Sequence, residues 1–289
     1  MNFHLKYKNS FNFPQTLSFM RLRAINGVER VTDDSYSRTF RVENTQGFFT
    51  VRHNPAECAL DLCIVCDDME CSCEIQNRVR RMFDLDTDFS AINARFAKDK
   101  LLSKGMENGH VPRLSIAFDP FELVIRAILG QQVTIKAATT LTGRIAEAAH
   151  IPTDATYLDG LDYFFPNPSE LNKLDLDGLG MTKSRRDTVR AATQAVLTRA
   201  VKLTPNQTFD AFHKDFSALK GIGDWTVSYV AMRGLGMLDS FPASDLGVIK
   251  ALTTGEKRAS PKEILRMSDT WRPYRAYAAL CLWNSLKTN

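Results

Sequence analysis

The sequence predicts two fold classes in one chain: an α+β domain on an antiparallel sheet over residues 1–88, then an all-α region over 89–289. Three observations carry this. Strand-like runs of β-branched and aromatic residues end at Cys66. From about residue 89 only helical periodicity follows. The 289 residues are 44% hydrophobic and 24% charged, which is globular composition with enough chain for a sizeable core. No apolar run reaches the ~18 residues of a membrane span, so none is expected.

The elements follow in order. Residues 17–25 (LSFMRLRAI) space their apolar positions as a helix, and 27–31 (GVERV) suit a strand. Strands are expected over 36–42 (YSRTFRV), 47–53 (GFFTVRH) and 59–66 (ALDLCIVC), with turn residues Glu43, Asn44, Thr45 and Gln46 between the first two. Residues 74–84 return to a helix.

In the second part, Asp119-Pro120 puts an N-cap before a proline in the first turn. Phe121, Val124, Ile125, Ile128 and Leu129 then recur at helical spacing. Further helices are expected from Thr182 through RRDTVRAATQAVL and over 210–219. Ser260-Pro261-Lys262-Glu263 is a capping box, and an apolar helix covers 274–286. Residues 157–168 read as a long loop. This helical part divides naturally into two subdomains with a cleft between them.

Charge and cysteine narrow the classes weakly. Net charge is +4, which permits a nucleic-acid partner without requiring one. The first residues, MNFHLKYKNSFNF, lack the apolar core of a signal peptide, so a cytoplasmic location is expected. Cys58, Cys63, Cys66, Cys71 and Cys73 cluster, and Cys281 stands alone. The CIVC run has metal or redox spacing, but on a strand Cys63 and Cys66 face opposite ways. Small apolar fillers are expected, and no metal site.

The sharpest motif is Leu219-Lys220-Gly221-Ile222-Gly223-Asp224-Trp225. Two glycines flank one apolar residue between helices. Glycine allows positive φ and close backbone approach. Such a hairpin offers free amide N–H groups at a helix start, which suits a phosphate. A helix–helix turn without a ligand has the same pattern. Trp225 and Tyr229 then share a helix face, as core aromatics or as pocket walls. Beyond Gly234, Gly236 and Pro242, Asp245 stands where a helix begins, as a simple N-cap or as a carboxylate held ionised by free N–H groups.

Taken in order, FELVIRAILGQQVT (121–134), LKGIGDWTVSYVAMRG (219–234), FPASDLGVIKAL (241–252) and WRPYRAYAALCLW (271–283) resemble the helix-hairpin-helix DNA glycosylase superfamily. The nearer resemblance is to its DNA-3-methyladenine glycosylase II branch, which excises alkylated bases. The first domain resembles that branch too, so the likeness covers nearly the whole chain.

The resemblance implies a monofunctional glycosylase acting as a monomer on duplex DNA that contains alkylated bases. Asp245 matches the catalytic aspartate. Trp225, Tyr229 and Trp283 match base-pocket aromatics, whose faces attract a cationic alkylated base. Superfamily members that also cut the strand carry a lysine two residues after the second hairpin glycine, where this chain has Trp225. Gln131 and Gln132 fall on the intercalating loop, with Gln132 at the wedge position in place of an apolar residue. Lys220, Gly221, Ile222, Gly223 and Asp224 match the DNA-gripping hairpin. Lys183, Arg185, Arg186, Arg190, Lys250, Arg272 and Arg275 are candidate phosphate contacts or a solvated surface. With only Cys281 near the end, no iron–sulfur cluster is expected; no cofactor is implied beyond a monovalent cation at the hairpin carbonyls. Two alternatives remain: a non-catalytic helix-hairpin-helix DNA-binding protein, and a glycosylase for deaminated or oxidised bases.

Overall fold

The computed structural model describes residues 1–68, 70–253 and 258–287. Its first part is one antiparallel sheet in the order β1-β5-β4-β3-β2. The strands are β1 Asn2–Lys6, β2 Glu29–Val31, β3 Ser35–Val42, β4 Thr45–Asn54 and β5 Ala59–Cys66. Register pairs Val42 with Thr45, so Glu43 and Asn44 alone form the β3–β4 turn. Glu43 takes φ 53°, as tight hairpin turns require. The expected strand from residue 47 therefore begins two residues earlier. β1 is absent from the sequence reading because its alternation, Phe3 and Leu5 between exposed Asn2, His4 and Lys6, runs for only five residues.

Helix α1 is Phe13–Arg21, four residues ahead of the 17–25 expected. Asn12 explains the shift: its side chain accepts from Gln15 N at 3.1 Å, with Pro14 in the first turn. α2 is Ser72–Met82. Phe13 and Leu17 of α1 and Ile75 and Val79 of α2 join Tyr36, Phe49, Val51 and Leu62 of the sheet in one core.

The rest is helical: α3 Ser90–Phe96, α4 Pro120–Leu129, α5 Ile135–Ala149, α6 Pro168–Lys173, α7 Lys183–Leu197, α8 Phe209–Ser217, α9 Asp224–Arg233, α10 Leu246–Leu252, α11 Pro261–Ser268 and α12 Arg275–Ser285. Asp119 caps α4 through Phe121 N at 2.7 Å and Glu122 N at 3.1 Å, and the Ser260–Glu263 box caps α11. Each such cap contributes about 1 kcal/mol. No helix among the described residues is long and apolar enough to cross a membrane.

Two helical cores result. One gathers α4, α5, α7, α8 and much of α9 around Ile125, Ile128, Val189, Phe212 and Val227. The other gathers α3, α10 and α12 around Phe96, Ile249, Trp271 and Tyr277. α9 serves both, with Val230 and Ala231 in the first and Met232 in the second.

A buried ionic quartet docks the sheet on α4. Arg38 of β3 donates to Glu122 at 2.7 Å, and Arg126 pairs with Glu122 at 2.7 Å and with Glu29 of β2. Tyr36 donates to Glu29 at 2.5 Å. Burial alone would raise the Glu122 carboxyl, but Arg38 and Arg126 outweigh it and hold it below the usual glutamate range.

Candidate active site

α9 begins directly after a glycine hairpin, and this sets the site. Gly221 has φ +90°, and a Cβ there would stand 2.2 Å from Thr188 Oγ1, so glycine is required both for conformation and for space. Gly223 caps α9 with no side-chain bond, leaving the first-turn amides for an outside acceptor. Lys220 is exposed beside them, and Ile222 is buried in the helical core as the hairpin's anchor. Asp224 turns to His213 of α8, at 3.0 Å from Nε2.

Trp225 and Tyr229 stand one turn apart on α9 and stack, with ring centroids 5.1 Å apart and planes at 15°. Asp245 N-caps α10: its Oδ1 accepts from Gly247 N at 2.8 Å and Val248 N at 3.1 Å. The cap is only part of its bonding. Trp225 Nε1 donates to Oδ2 at 2.8 Å, and Trp283 Nε1 of α12 donates to Oδ1 at 2.7 Å. Two indoles distant in sequence thus converge on one carboxylate.

The four side chains border a cavity of about 590 Å³, within the range of small-ligand sites. Its walls come from both parts of the chain: Phe19 and Arg23 follow from α1 and the turn after it, Glu122 and Arg126 from α4, and Trp225, Tyr229 and Arg233 from α9. Leu22 and Ile135 lie on its lining at 63% and 45% exposure, an apolar rim open to solvent. Arg233 is buried, and loss of solvation pulls its guanidinium down to about 10, still charged at neutral pH.

The turn between α4 and α5 presents Gln131 and Gln132 very differently. Gln131 binds inward: Nε2 donates to Gly221 O and to Thr226 Oγ1, both at 2.9 Å, and its carbonyl accepts from Arg185 at 2.6 Å. It fastens the turn to the hairpin instead of projecting. Gln132 is exposed with φ 55°, a left-handed conformation uncommon for glutamine. Of the basic candidates, Arg186 is paired with Asp177 at 2.8 Å, and Arg272 and Arg275 both bind Asp239. These three are tied to acids, whereas Lys250 is exposed.

The cysteines take no part in this site. All six are free thiols; Cys71 is buried in the sheet core, and burial pushes Cys281 up to about 12.

Residues 2–119 match the AlkA N-terminal domain family. Two Mycobacterium tuberculosis proteins described as probable bifunctional transcriptional activator/DNA repair enzyme AlkA are 31% identical over 287 residues, 99% of this chain. An Escherichia coli DNA-3-methyladenine glycosylase 2 is 29% identical over 96% of this chain and 95% of its own. Residues 2–119 thus carry an AlkA N-terminal domain, and the chain is similar to AlkA-type proteins along nearly its whole length. It spans 57% of the length of the mycobacterial AlkA relatives. The AlkA-type fold extends to a 3-methyladenine DNA-glycosylase from Archaeoglobus fulgidus, with TM-score 0.79 over 98% of this chain and 97% of that one at 17% identity. Sequence reasoning missed three contributors to the site: Gly247, two residues after Asp245; Arg233, one turn after Tyr229 on α9; and Phe19, which only the packing of α1 brings to the cavity.

Proposed function

We propose that the chain is a monofunctional DNA glycosylase that flips alkylated bases out of duplex DNA and releases them by hydrolysis. The observation that carries this reading is Asp245 held by Trp225 and Trp283 at the edge of an aromatic cavity. The C1′–N bond breaks, its electrons leave with the base, and water supplies the new C1′–O bond. As the base departs, positive charge grows on the sugar, and the ionised Asp245 opposes it or accepts the water's proton. An alkylated ring nitrogen makes the base cationic, so it leaves readily and is attracted to the faces of Trp225 and Tyr229.

The hairpin would grip the backbone through its free amides and Lys220. Gln132 would enter the gap left by the flipped nucleotide. The position of a Schiff-base lysine is Trp225, whose indole serves Asp245, so no strand cleavage is expected. The reaction balances with water and the chain's own groups, without a cofactor. A monovalent cation at the hairpin would share carbonyls that already accept once, from Ile222 N to Leu219 O at 3.0 Å and from Thr188 Oγ1 to Lys220 O at 3.3 Å. Each keeps a lone pair for it.

The test is release of free base from methylated duplex DNA by the native chain and by Asp245→Asn. The expected result is release by the native chain alone, with strands intact until alkali is added. Equal release by both would remove Asp245 from the chemistry. Failure of both with tight DNA binding would favour a non-catalytic DNA-binding role or another lesion class.

A further inference from the structure

The cavity contains a charge that no carboxylate pairs with among the described residues. Arg233 lines it at 5% exposure and makes one side-chain hydrogen bond among the described residues, from Nη1 to Ser115 O at 2.9 Å. Its Nε–H is buried with no hydrogen-bond partner among the described residues. The groups acting on it electrostatically are Tyr229 and a second arginine, Arg23, with no carboxylate among them. The same cavity offers a contrast. Arg38 and Arg126 also line it, and both are matched by Glu122. Arg113, also on the lining, shares an unpartnered buried Nε but gives both Nη groups to backbone carbonyls, whereas Arg233 gives only one.

The position of Arg233 gives the opening a direction. Trp225, Tyr229 and Arg233 repeat every four residues, so they form one stripe of α9. Arg233 stands two turns from Trp225, about 12 Å along the helix axis. Its guanidinium carbon lies 6.0 Å from the Tyr229 ring centroid, 5.7 Å from that of Trp283 and 4.4 Å from that of Phe19. Asp245 is bonded at the Trp225 end of the stripe. A base on these rings with its glycosidic bond toward Asp245 turns its far edge to Arg233.

We propose that Arg233 is a specificity-determining residue that donates to the 6-oxo group of the flipped purine. The site then favours 6-oxopurine lesions, such as 7-methylguanine and hypoxanthine, over 6-aminopurine lesions such as 3-methyladenine. The proposal rests on the glycosylase reading above and adds the substrate class. The chemistry follows from the edges. Guanine and hypoxanthine present O6 as an acceptor, half of the bidentate O6/N7 contact by which arginine reads guanine; in 7-methylguanine N7 is blocked and O6 is the acceptor that remains on that edge. Adenine presents an amino donor, which faces a donor guanidinium and leaves both unpaired.

The experiment compares native chain, Arg233→Met and Arg233→Lys on duplexes carrying 7-methylguanine, hypoxanthine or 3-methyladenine. Expected is a ten- to hundredfold fall in the ratio of 6-oxopurine to 3-methyladenine release in Arg233→Met, with Arg233→Lys in between. A ratio that stays level while all rates drop together makes Arg233 structural and overturns the proposal. So does a native chain that releases 3-methyladenine faster than both 6-oxopurines, which leaves the glycosylase reading intact. Free bases give a readout that needs no catalysis. Quenching of indole fluorescence by free hypoxanthine should exceed that by free adenine in the native chain, and the difference should vanish in Arg233→Met. If base release fails for every lesion, the glycosylase reading falls, and the quenching difference still decides whether Arg233 reads the oxo edge.

Discussion

A Cβ atom at Gly247 would stand 2.8 Å from Cδ1 of Trp283 and 3.2 Å from its Nε1. The indole of Trp283 therefore reaches Asp245 across a gap that exists only because residue 247 has no side chain. Gly247 sits in the first turn of α10, where its own N–H is bonded to the same carboxylate.

The Gly247→Ala variant should separate site geometry from stability. Alanine is the better helix residue by about 0.5–1 kcal/mol, which offsets part of the crowding. Thermal unfolding should shift by only a few degrees. Base release should fall about tenfold, the cost of one displaced hydrogen bond to a charged group. Unchanged release would mean the Trp283 bond is dispensable.

Trp225→Phe keeps an aromatic face against Tyr229 and removes the donor to Asp245 Oδ2. Affinity for a duplex containing a non-cleavable alkylated analogue should change less than threefold. The single-turnover rate should drop roughly ten- to hundredfold. A drop confined to affinity would place Trp225 in base binding alone.

How far the sequence reveals the site depends on whether a residue's role is local. Trp225 and Tyr229 share one helix face and Asp245 stands at the next helix start, so their positions can be read from spacing, while their roles come from the family resemblance. Trp283 matches its motif position, but nothing local distinguishes it from Trp271, which is buried and bonded to Asp99 instead. Gln131 reads as a DNA contact because it neighbours Gln132; its inward turn depends on the Gly221 carbonyl, 90 residues further along the chain. The fold behaves likewise. β3, β4 and β5 declare themselves by long runs of β-branched and aromatic residues between turn signals, whereas β1 is five residues long and pairs with β5 alone.

Gln132→Gly tests the intercalating turn. Glycine adopts φ 55° without strain, so the variant should be as stable as the native chain or up to about 1 kcal/mol more so. Binding to duplex DNA with an abasic site should weaken by about tenfold, read by fluorescence anisotropy. Tight binding retained in this variant would make Gln132 a bystander.

Acid stability should report the ionic quartet. The Glu122 carboxyl is held below its ordinary range of about 4.5, so its contribution is complete above that value. It is lost as pH falls through the lower, folded-state value. Glu122→Gln leaves Arg38 and Arg126 short of a buried partner, which should destabilise the chain by about 3–5 kcal/mol near neutrality. The variant should also lose less stability than the native chain between pH 5 and pH 3, as followed by urea unfolding at each pH. Parallel acid profiles would show that Glu122 titrates alike in both states.

The quartet also bears on how such a chain can be cut and recombined. Glu29 and Arg38 belong to the sheet, Glu122 and Arg126 to α4, and besides the pair within each element two bonds cross between them, Arg38 to Glu122 and Arg126 to Glu29. Removing the first hundred residues would strip one side from the cavity and leave the Glu122–Arg126 pair of α4 without its Arg38 and Glu29 partners. The β-rich part is therefore no detachable handle: a domain boundary placed after it by eye would divide a single electrostatic unit.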